Sequence, residues 1–246
     1  MYSWGVKALD ELTGGIRPIL MMFYGETGSG KTTLAAYVPT TRIAIERKKL
    51  ESNEKFIVID GDGGFDMWRA EQIWKNNGLE PDVMAEHLEY VEVESFDDQH
   101  QTVKKLPETI EKRQIKPLLI VCDPMTAFYR GIILRTDMRH RATVIGQYTG
   151  KLDLQLTTLR YLTVKYKVPV IITTWPSSPV GKAFGAESEV PFIGGRAFGF
   201  FPKLIVELSV VERGRPVRRA YLWKAKGLPA GKTVEFKLSD KGVEDV

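Results

Sequence analysis

The sequence has a single cysteine, Cys122, so no disulfide can form within the chain. This fits a reducing compartment, and we expect a cytoplasmic protein. There is no uninterrupted run of about eighteen apolar residues, so no membrane-spanning helix is predicted. The first residues lack the basic-then-apolar pattern of a signal peptide. The 3 histidines are widely separated and have no cysteine neighbours, so no zinc site is predicted.

What the chain does have is a regular alternation of apolar runs and amphipathic stretches. Its 246 residues, 43% of them hydrophobic, suit one α/β domain, which we expect to span residues 1–246. Strands are predicted at 19–24, 55–60, 87–94, 118–122, 168–174, 204–211, 217–223 and 234–238. Helices are predicted from Lys31 with a break or kink at Pro39, at 65–77, from an N-cap at Asp97 or Asp98 toward 113, and at 143–167. This order predicts a mainly parallel central sheet flanked by helices and extended by antiparallel C-terminal strands.

The most specific motif is a phosphate-binding loop that follows the first predicted strand. Gly25-Glu26-Thr27-Gly28-Ser29-Gly30-Lys31-Thr32 matches the pattern G-x-x-x-x-G-K-[ST] at every fixed position. Such a loop points successive backbone N–H groups at phosphate oxygens, and the following helix adds partial positive charge. We therefore expect residues 25–33, ending with Thr33, to bind ATP. Lys31 would contact the β- and γ-phosphates, and the Thr32 hydroxyl would bind Mg²⁺.

Two acidic residues are candidates to complete this site. Asp123 ends an apolar strand and is predicted to hold Mg²⁺ together with Thr32. Asp62 follows another buried strand, within Asp60-Gly61-Asp62-Gly63. Because ligands of open α/β sheets bind at the carboxyl ends of the strands, Asp62 is the candidate for orienting the attacking water. Asp123 could instead be a common strand terminator before a proline, and Asp62 a plain turn residue among glycines.

These motifs together resemble the RecA/RadA recombinase superfamily. Residues 3–15 are similar to the lead-in G-x-x-x-L-D-x-L-x-G-G, and residues 59–65 are similar to I-D-T-E-G-T-F, whose glutamate activates water. The resemblance covers nearly the whole chain. It implies a RecA-like ATPase core, two DNA-binding loops near 126–141 and 176–199, and a role in homologous recombination.

The chain also departs from that superfamily. Asp62 falls at the glutamate position and is one methylene shorter, which implies slow hydrolysis. Thr174-Trp175 occupies the place of an Asn-Gln pair that transmits the nucleotide state to the DNA loop. Trp175 could stack on a base or pack in the core. No Phe-x-x-Ala polymerisation motif occurs, so the chain resembles a core-only archaeal RadA paralogue of the RadB kind.

Cationic residues mark where single-stranded DNA is expected to bind. The candidates lie in the two loop regions: Arg130, Arg135, Arg139 and Arg141 in the first, Lys182 and Arg196 in the second. The chain carries a formal net charge of +4, with a basic stretch between residues 196 and 232. That stretch could bind a polyanion or form a solvated sheet edge that prevents aggregation.

The leading hypothesis is a weak, DNA-associated ATPase that modulates recombinational repair. It could act on single-stranded DNA beside a RadA-type recombinase or another repair protein, and it could oligomerise. A nucleotide-dependent adaptor with little DNA binding is the alternative from another class. A KaiC-like signalling ATPase shares the lead-in and the phosphate loop, but its paired glutamates fit Asp60-Gly61-Asp62 poorly.

Overall fold

The protein forms one nine-stranded sheet, in a computed structural model that describes residues 1–177 and 190–246. In chain order the strands are β1 (Leu20–Gly25), β2 (Glu54–Asp60), β3 (Leu88–Glu92), β4 (Lys116–Asp123), β5 (Val170–Thr174), β6 (Leu204–Val210), β7 (Val217–Ala225), β8 (Thr233–Ser239) and β9 (Gly242–Glu244). The sheet order is β3-β2-β4-β5-β1-β6-β7-β8-β9. The first six strands in this order are parallel, and β6 to β9 pair antiparallel. The predicted fold class is confirmed.

Helices cover both faces of the parallel part. They are α1 (Lys7–Thr13), α2 (Val38–Arg47), α3 (Met67–Asn76), α4 (Pro81–Glu86), α5 (Phe96–Lys112), α6 (Ala127–Arg135), α7 (Met138–Tyr166) and α8 (Arg196–Phe200). Side chains alternate between two cores, as a strand buried on both faces requires. In β1, Met21 and Phe23 join the core beneath α1 to α4, and Met22 and Tyr24 join the core beneath α5, α7 and α8.

The lead-in segment packs against the central strand β1. The Trp4 ring meets Phe23 edge-on at 5.6 Å, and its indole N–H donates to Thr13 Oγ1 at 2.8 Å. The Asp10 carboxylate accepts from the Trp4 backbone N–H at 2.8 Å. At Gly15, with φ +78°, a Cβ would lie 2.6 Å from the Tyr2 carbonyl oxygen. The spacing of the lead-in motif therefore fixes how the chain enters β1.

Several predicted element boundaries need correction. The helix after the phosphate loop continues from Lys31 to Arg47, with π-helical hydrogen bonding over Thr33–Tyr37. The π-helical segment ends at Tyr37, two residues before Pro39. Proline has no backbone N–H, so Pro39 donates no hydrogen bond to the preceding turn. The predicted cap of α5 was wrong, because Ser95 is the N-cap and its hydroxyl accepts from the Asp98 N–H at 3.1 Å.

Two further differences concern the regions predicted as DNA loops. The first is helical, as α6 and the first turns of α7, and α6 contributes no buried side chain. The second region is described only outside 178–189, and its last part forms α8. Across the described part of the chain, no helix is long and apolar enough to cross a bilayer. The expectation of one domain over 1–246 stays a prediction.

Candidate nucleotide and nucleic-acid site

The phosphate loop lies at the carboxyl end of β1, between β5 and β6. Its three glycines each face one strand of the antiparallel extension. A Cβ at Gly25 would overlap the carbonyl oxygen of Leu208 in β6, and one at Gly30 would lie 3.2 Å from the Leu238 side chain in β8. From β7, Arg218 donates through Nε to the Gly28 carbonyl at 2.8 Å. Strands β6, β7 and β8 therefore each contact the phosphate loop.

The Arg218 side chain is held from its own hairpin as well. Its Nη1 donates to the carbonyls of Arg215 at 2.7 Å and Val217 at 3.0 Å. Gly28 adopts φ +80°, and no atom approaches the position of a Cβ there. Arg218 is therefore the fixed contact at the apex of the loop, and the sequence alone did not single it out.

Lys31 closes the loop from the inside. Its Nζ donates to the carbonyl oxygens of Gly25 and Glu26, both at 2.9 Å. Burial lowers the pKa of Lys31, while the nearby carboxylates of Asp123 and Asp62 oppose that shift. The Ser29 hydroxyl is fully buried and finds no hydrogen-bond partner among the described residues. These polar groups line a cradle that suits an anion.

Asp123 forms the acidic floor of the site. It ends β4, is buried, and accepts hydrogen bonds from the hydroxyls of Thr173 and Thr32. Burial raises the pKa of Asp123, and those two hydroxyls and Lys31 counteract the shift. A carboxylate paired with a threonine hydroxyl is a hard oxygen set of the kind that Mg²⁺ takes. The predicted metal residues Thr32 and Asp123 therefore lie together and fit the ion.

Asp60 organises the turn beside this floor, a role that sequence reasoning missed. Its Oδ1 accepts from the backbone N–H groups of Asp62, Gly63 and Gly64 at 3.1, 3.0 and 3.3 Å. Its Oδ2 accepts from the Phe65 N–H at 2.9 Å and the Tyr90 hydroxyl at 3.0 Å. The sequence does contain a signal for this role: an aspartate at the end of a strand, followed by glycines. Aspartate side chains in turns accept hydrogen bonds from the backbone N–H groups that follow them.

Asp62 stands on that turn, open to solvent on its outer side. Its Oδ1 accepts from the Gly64 N–H at 3.1 Å. Partial burial, with the like charges of Asp123 and Asp60, raises the pKa of Asp62 to about 6. Gly61, just before it, leaves no room for a side chain, since a Cβ would lie 2.6 Å from the Pro124 carbonyl oxygen. The ends of β2 and β4 therefore meet closely, and both carboxylates face one site.

A threonine pair connects this floor to the first helical region. Thr126, the N-cap of α6, and Thr174, at the end of β5, have their hydroxyl oxygens 2.6 Å apart. The Thr174 hydroxyl also donates to the Ile193 carbonyl at 3.0 Å. Thr173, one residue earlier, bonds to Asp123. Adjacent threonines of β5 thus link the acidic floor, α6 and the segment before α8.

Trp175 continues this connection at the surface. It is half-buried, and the Arg130 guanidinium lies 5.6 Å from its ring centroid, within cation–π range. Arg135 and Arg139 are exposed at the turn between α6 and α7. Arg141 is partly buried and donates to the Thr136 carbonyl at 3.1 Å. The four candidate arginines of the first region therefore lie on two consecutive helices, Arg130 and Arg135 on α6 and the other two on α7.

Comparison with known proteins gives the family. The sequence profile of the Rad51 family matches residues 1–246. The chain belongs to the Rad51 family. It is 32% identical to the DNA repair and recombination protein RadB of Thermococcus onnurineus (strain NA1), over 100% of this chain and 98% of that protein. It is 28% identical to the DNA repair and recombination protein RadA of Ignicoccus hospitalis (strain KIN4/I / DSM 18386 / JCM 14125), over 98% and 72%.

A solved structure of the same kind has a similar fold. The crystal structure of the RadB recombinase matches with a TM-score of 0.77, 26% identity and full coverage of both chains. The predicted resemblance to the RecA/RadA superfamily and to RadB is thereby confirmed. Of the remaining DNA candidates in this Rad51-family chain, Arg196 opens α8, and Lys182 lies outside the described residues.

Much of the basic C-terminal stretch has partners within the chain. Arg219 pairs with Glu235 across β7 and β8, and Arg215 pairs with Glu212 in the hairpin turn. Lys224 donates to the carbonyls of Gly199 at 2.7 Å and Phe200 at 3.2 Å. These contacts favour the interpretation of the stretch as a sheet surface with local charge pairing.

Proposed function

We propose that this RadB-like recombinase paralogue binds ATP with Mg²⁺, hydrolyses it slowly, and acts on single-stranded DNA in recombinational repair. The observation that carries the proposal is the Lys31–Thr32–Asp123 arrangement beneath a loop whose glycines are backed by three strands. The names of the RadB and RadA relatives support a role in DNA repair and recombination. We further propose a cytoplasmic protein that works with a RadA-type recombinase or another repair protein and can oligomerise.

Each residue of the site has a defined task in this proposal. Residues 25–33 bind the phosphates, and Lys31 exchanges its loop carbonyls for phosphate oxygens. Thr32 and Asp123 hold the metal ion, which supplies charge neutralisation on the phosphates. Asp62 accepts a hydrogen bond from the attacking water and takes its proton. Its carboxylate bonds to the Gly64 N–H of its own turn, which supports slow turnover.

Arg218→Ala is expected to weaken ATP binding about fivefold, because the apex of the loop loses its charged hydrogen bond at Gly28. We take about 1 kcal/mol for a solvent-exposed bond of this kind. The matched control is Arg219→Ala, the next residue of β7, which pairs with Glu235 on the other face. Titration of each variant with a fluorescent ATP analogue measures the affinities. Equal weakening by both substitutions would remove Arg218 from the site.

Single-stranded DNA is expected to bind the turn between α6 and α7 in a salt-dependent way. Each phosphate neutralised adds about −0.7 to the slope of log affinity against log salt. Arg135→Ala combined with Arg139→Ala should weaken binding of an oligo-dT about tenfold at low salt and reduce the magnitude of the slope by about 1.4. Fluorescence anisotropy of a labelled oligonucleotide measures both quantities.

The control for this experiment removes the same charge from an exposed helix elsewhere. Lys104→Ala combined with Lys105→Ala in α5 should leave the slope unchanged. If the native protein shows no binding at low salt, the DNA part of the proposal is wrong and the nucleotide-dependent adaptor is favoured. If both double variants lose affinity equally, the binding is not localised to the α6–α7 turn.

A further inference from the structure

A groove lies at the amino-terminal end of β1. The phosphate loop lies at the opposite, carboxyl end of the same strand. β1 has 6 residues, which places the groove about 20 Å from the loop. Its volume is about 360 Å³, within the range of pockets that hold small ligands. Three segments form it: residues 18–20 leading into β1, the last turns of α7, and the connection from α8 to β6.

The floor of the groove is apolar, and the α7 side of the groove carries an exposed apolar side chain. Ile19, Leu20 and Phe201 supply the floor, and Val164 of α7 lines the groove with 70% of its surface exposed. The adjacent Phe200, 67% exposed, meets the Phe201 ring edge-on at 5.5 Å. Single exposed apolar residues are common, but a contiguous apolar patch around a concavity marks an interaction site.

The rim of the groove is cationic. Arg160, Lys167 and Lys203 line it, and no carboxylate does. Within the described residues none of these three cations forms an ion pair, whereas Lys151 and Lys165, also of α7, each pair with a carboxylate. The Lys203 ammonium lies 5.5 Å from the Phe200 ring centroid. An occupant that supplies negative charge would therefore complete this surface.

We propose that this groove binds an acidic peptide segment of a partner protein, one that inserts a large apolar side chain between flanking carboxylates. The apolar floor accepts the side chain, and Arg160, Lys167 and Lys203 pair with the acids on either side. A peptide suits the groove better than single-stranded DNA does, because aliphatic side chains outnumber the one aromatic ring that lines it, Phe201, and bases stack on aromatic rings. The proposal does not depend on the nucleotide site.

The test uses a fluorescein-labelled peptide with a central Phe-Leu pair between acidic residues, titrated with the full chain and followed by anisotropy. We expect binding at or below about millimolar concentration. Val164→Asp should weaken it about tenfold, since this change places a like charge in the groove. Val83→Asp is the matched control, because Val83 is an exposed valine of α4, 51% exposed, and does not line the groove. Lys167→Glu with Lys203→Glu should act like Val164→Asp.

Each alternative occupant has a distinct outcome that would overturn the proposal. No binding at about millimolar peptide, or equal binding by the Val164→Asp protein, removes the groove as the site. Equal binding of a peptide with Ser-Ser in place of Phe-Leu shows charge attraction without an apolar anchor. Displacement of the peptide by oligo-dT assigns the groove to nucleic acid. A dimer in sedimentation that Val164→Asp dissociates assigns it to a second copy of the chain.

Discussion

Lys31→Ala is expected to reduce ATP affinity by at least about a hundredfold. The Lys31 ammonium makes two charge-assisted hydrogen bonds at 2.9 Å within the loop, and these are the bonds it would exchange for phosphate oxygens. Hydrogen bonds to charged groups contribute about 1.5–3 kcal/mol each, so the loss of two costs about 3 kcal/mol or more. Since 1.4 kcal/mol corresponds to about tenfold in affinity, this loss amounts to about a hundredfold or more.

The measurement is calorimetric titration with a non-hydrolysable ATP analogue and Mg²⁺. Lys7→Ala is the matched control, because the Lys7 side chain is 83% exposed and makes only a surface ion pair with Glu11. It should bind like the native chain. Full ATP affinity in the Lys31→Ala protein would overturn the assignment of residues 25–33 as the nucleotide site, and with it the proposed function.

The sequence predicted the central strands well because they are buried on both faces. The run predicted at 19–24 appears as β1, Leu20–Gly25, and the run predicted at 55–60 appears as β2, Glu54–Asp60. Continuous apolar segments that end in glycine or aspartate have few other stable structures in a protein of this size. The phosphate-binding loop could also be predicted from the sequence, because local backbone geometry requires its glycines. Gly28 and Gly30 have φ of +80° and +94°.

Helix α6 and the contacts around the loop could not be predicted in the same way. Apolar residues occur on several sides of 127–135, and only Phe128, Tyr129 and Ile132 pack partly buried against the core, so no single apolar face of helical period marks the segment. The three strands that back the loop contact it through Leu208, Arg218 and Leu238, which lie far from it in the sequence. Pairings of this kind depend on sheet order, and local pattern does not specify sheet order.

The departure at Thr174-Trp175 has a structural counterpart. At these positions the superfamily pattern has two amides, and here a hydroxyl pair with Thr126 and a ring beneath Arg130 connect β5 to α6. Neighbouring Thr173 bonds to Asp123, so the link reaches the proposed metal residue. The side chains that replace the amide pair therefore still make contiguous contacts between β5 and α6.

Asp62→Asn is expected to lower the rate of ATP hydrolysis about a hundredfold and to leave ATP affinity unchanged. The substitution keeps the shape of the side chain and removes its ability to take a proton, a contribution of about 10²–10⁴ in rate for a general base. Asp62→Glu should raise the rate, because the longer side chain extends beyond the Gly64 N–H that now binds the carboxylate. Single-turnover measurements with Mg²⁺ separate these rates from product release.

The pH profile gives an independent test of the same residue. The raised pKa of Asp62, about 6, means that the carboxylate is ionised at neutral pH and protonated in mild acid. A base must be ionised to act, so the hydrolysis rate should fall about tenfold per pH unit below its inflection. Mg²⁺ bound by Asp123 offsets one of the like charges that raise this pKa, which puts the inflection at or below about 6. An Asp62→Asn protein with native turnover and the same inflection would place the base elsewhere, and Asp62 would then be a residue of the turn that Asp60 organises.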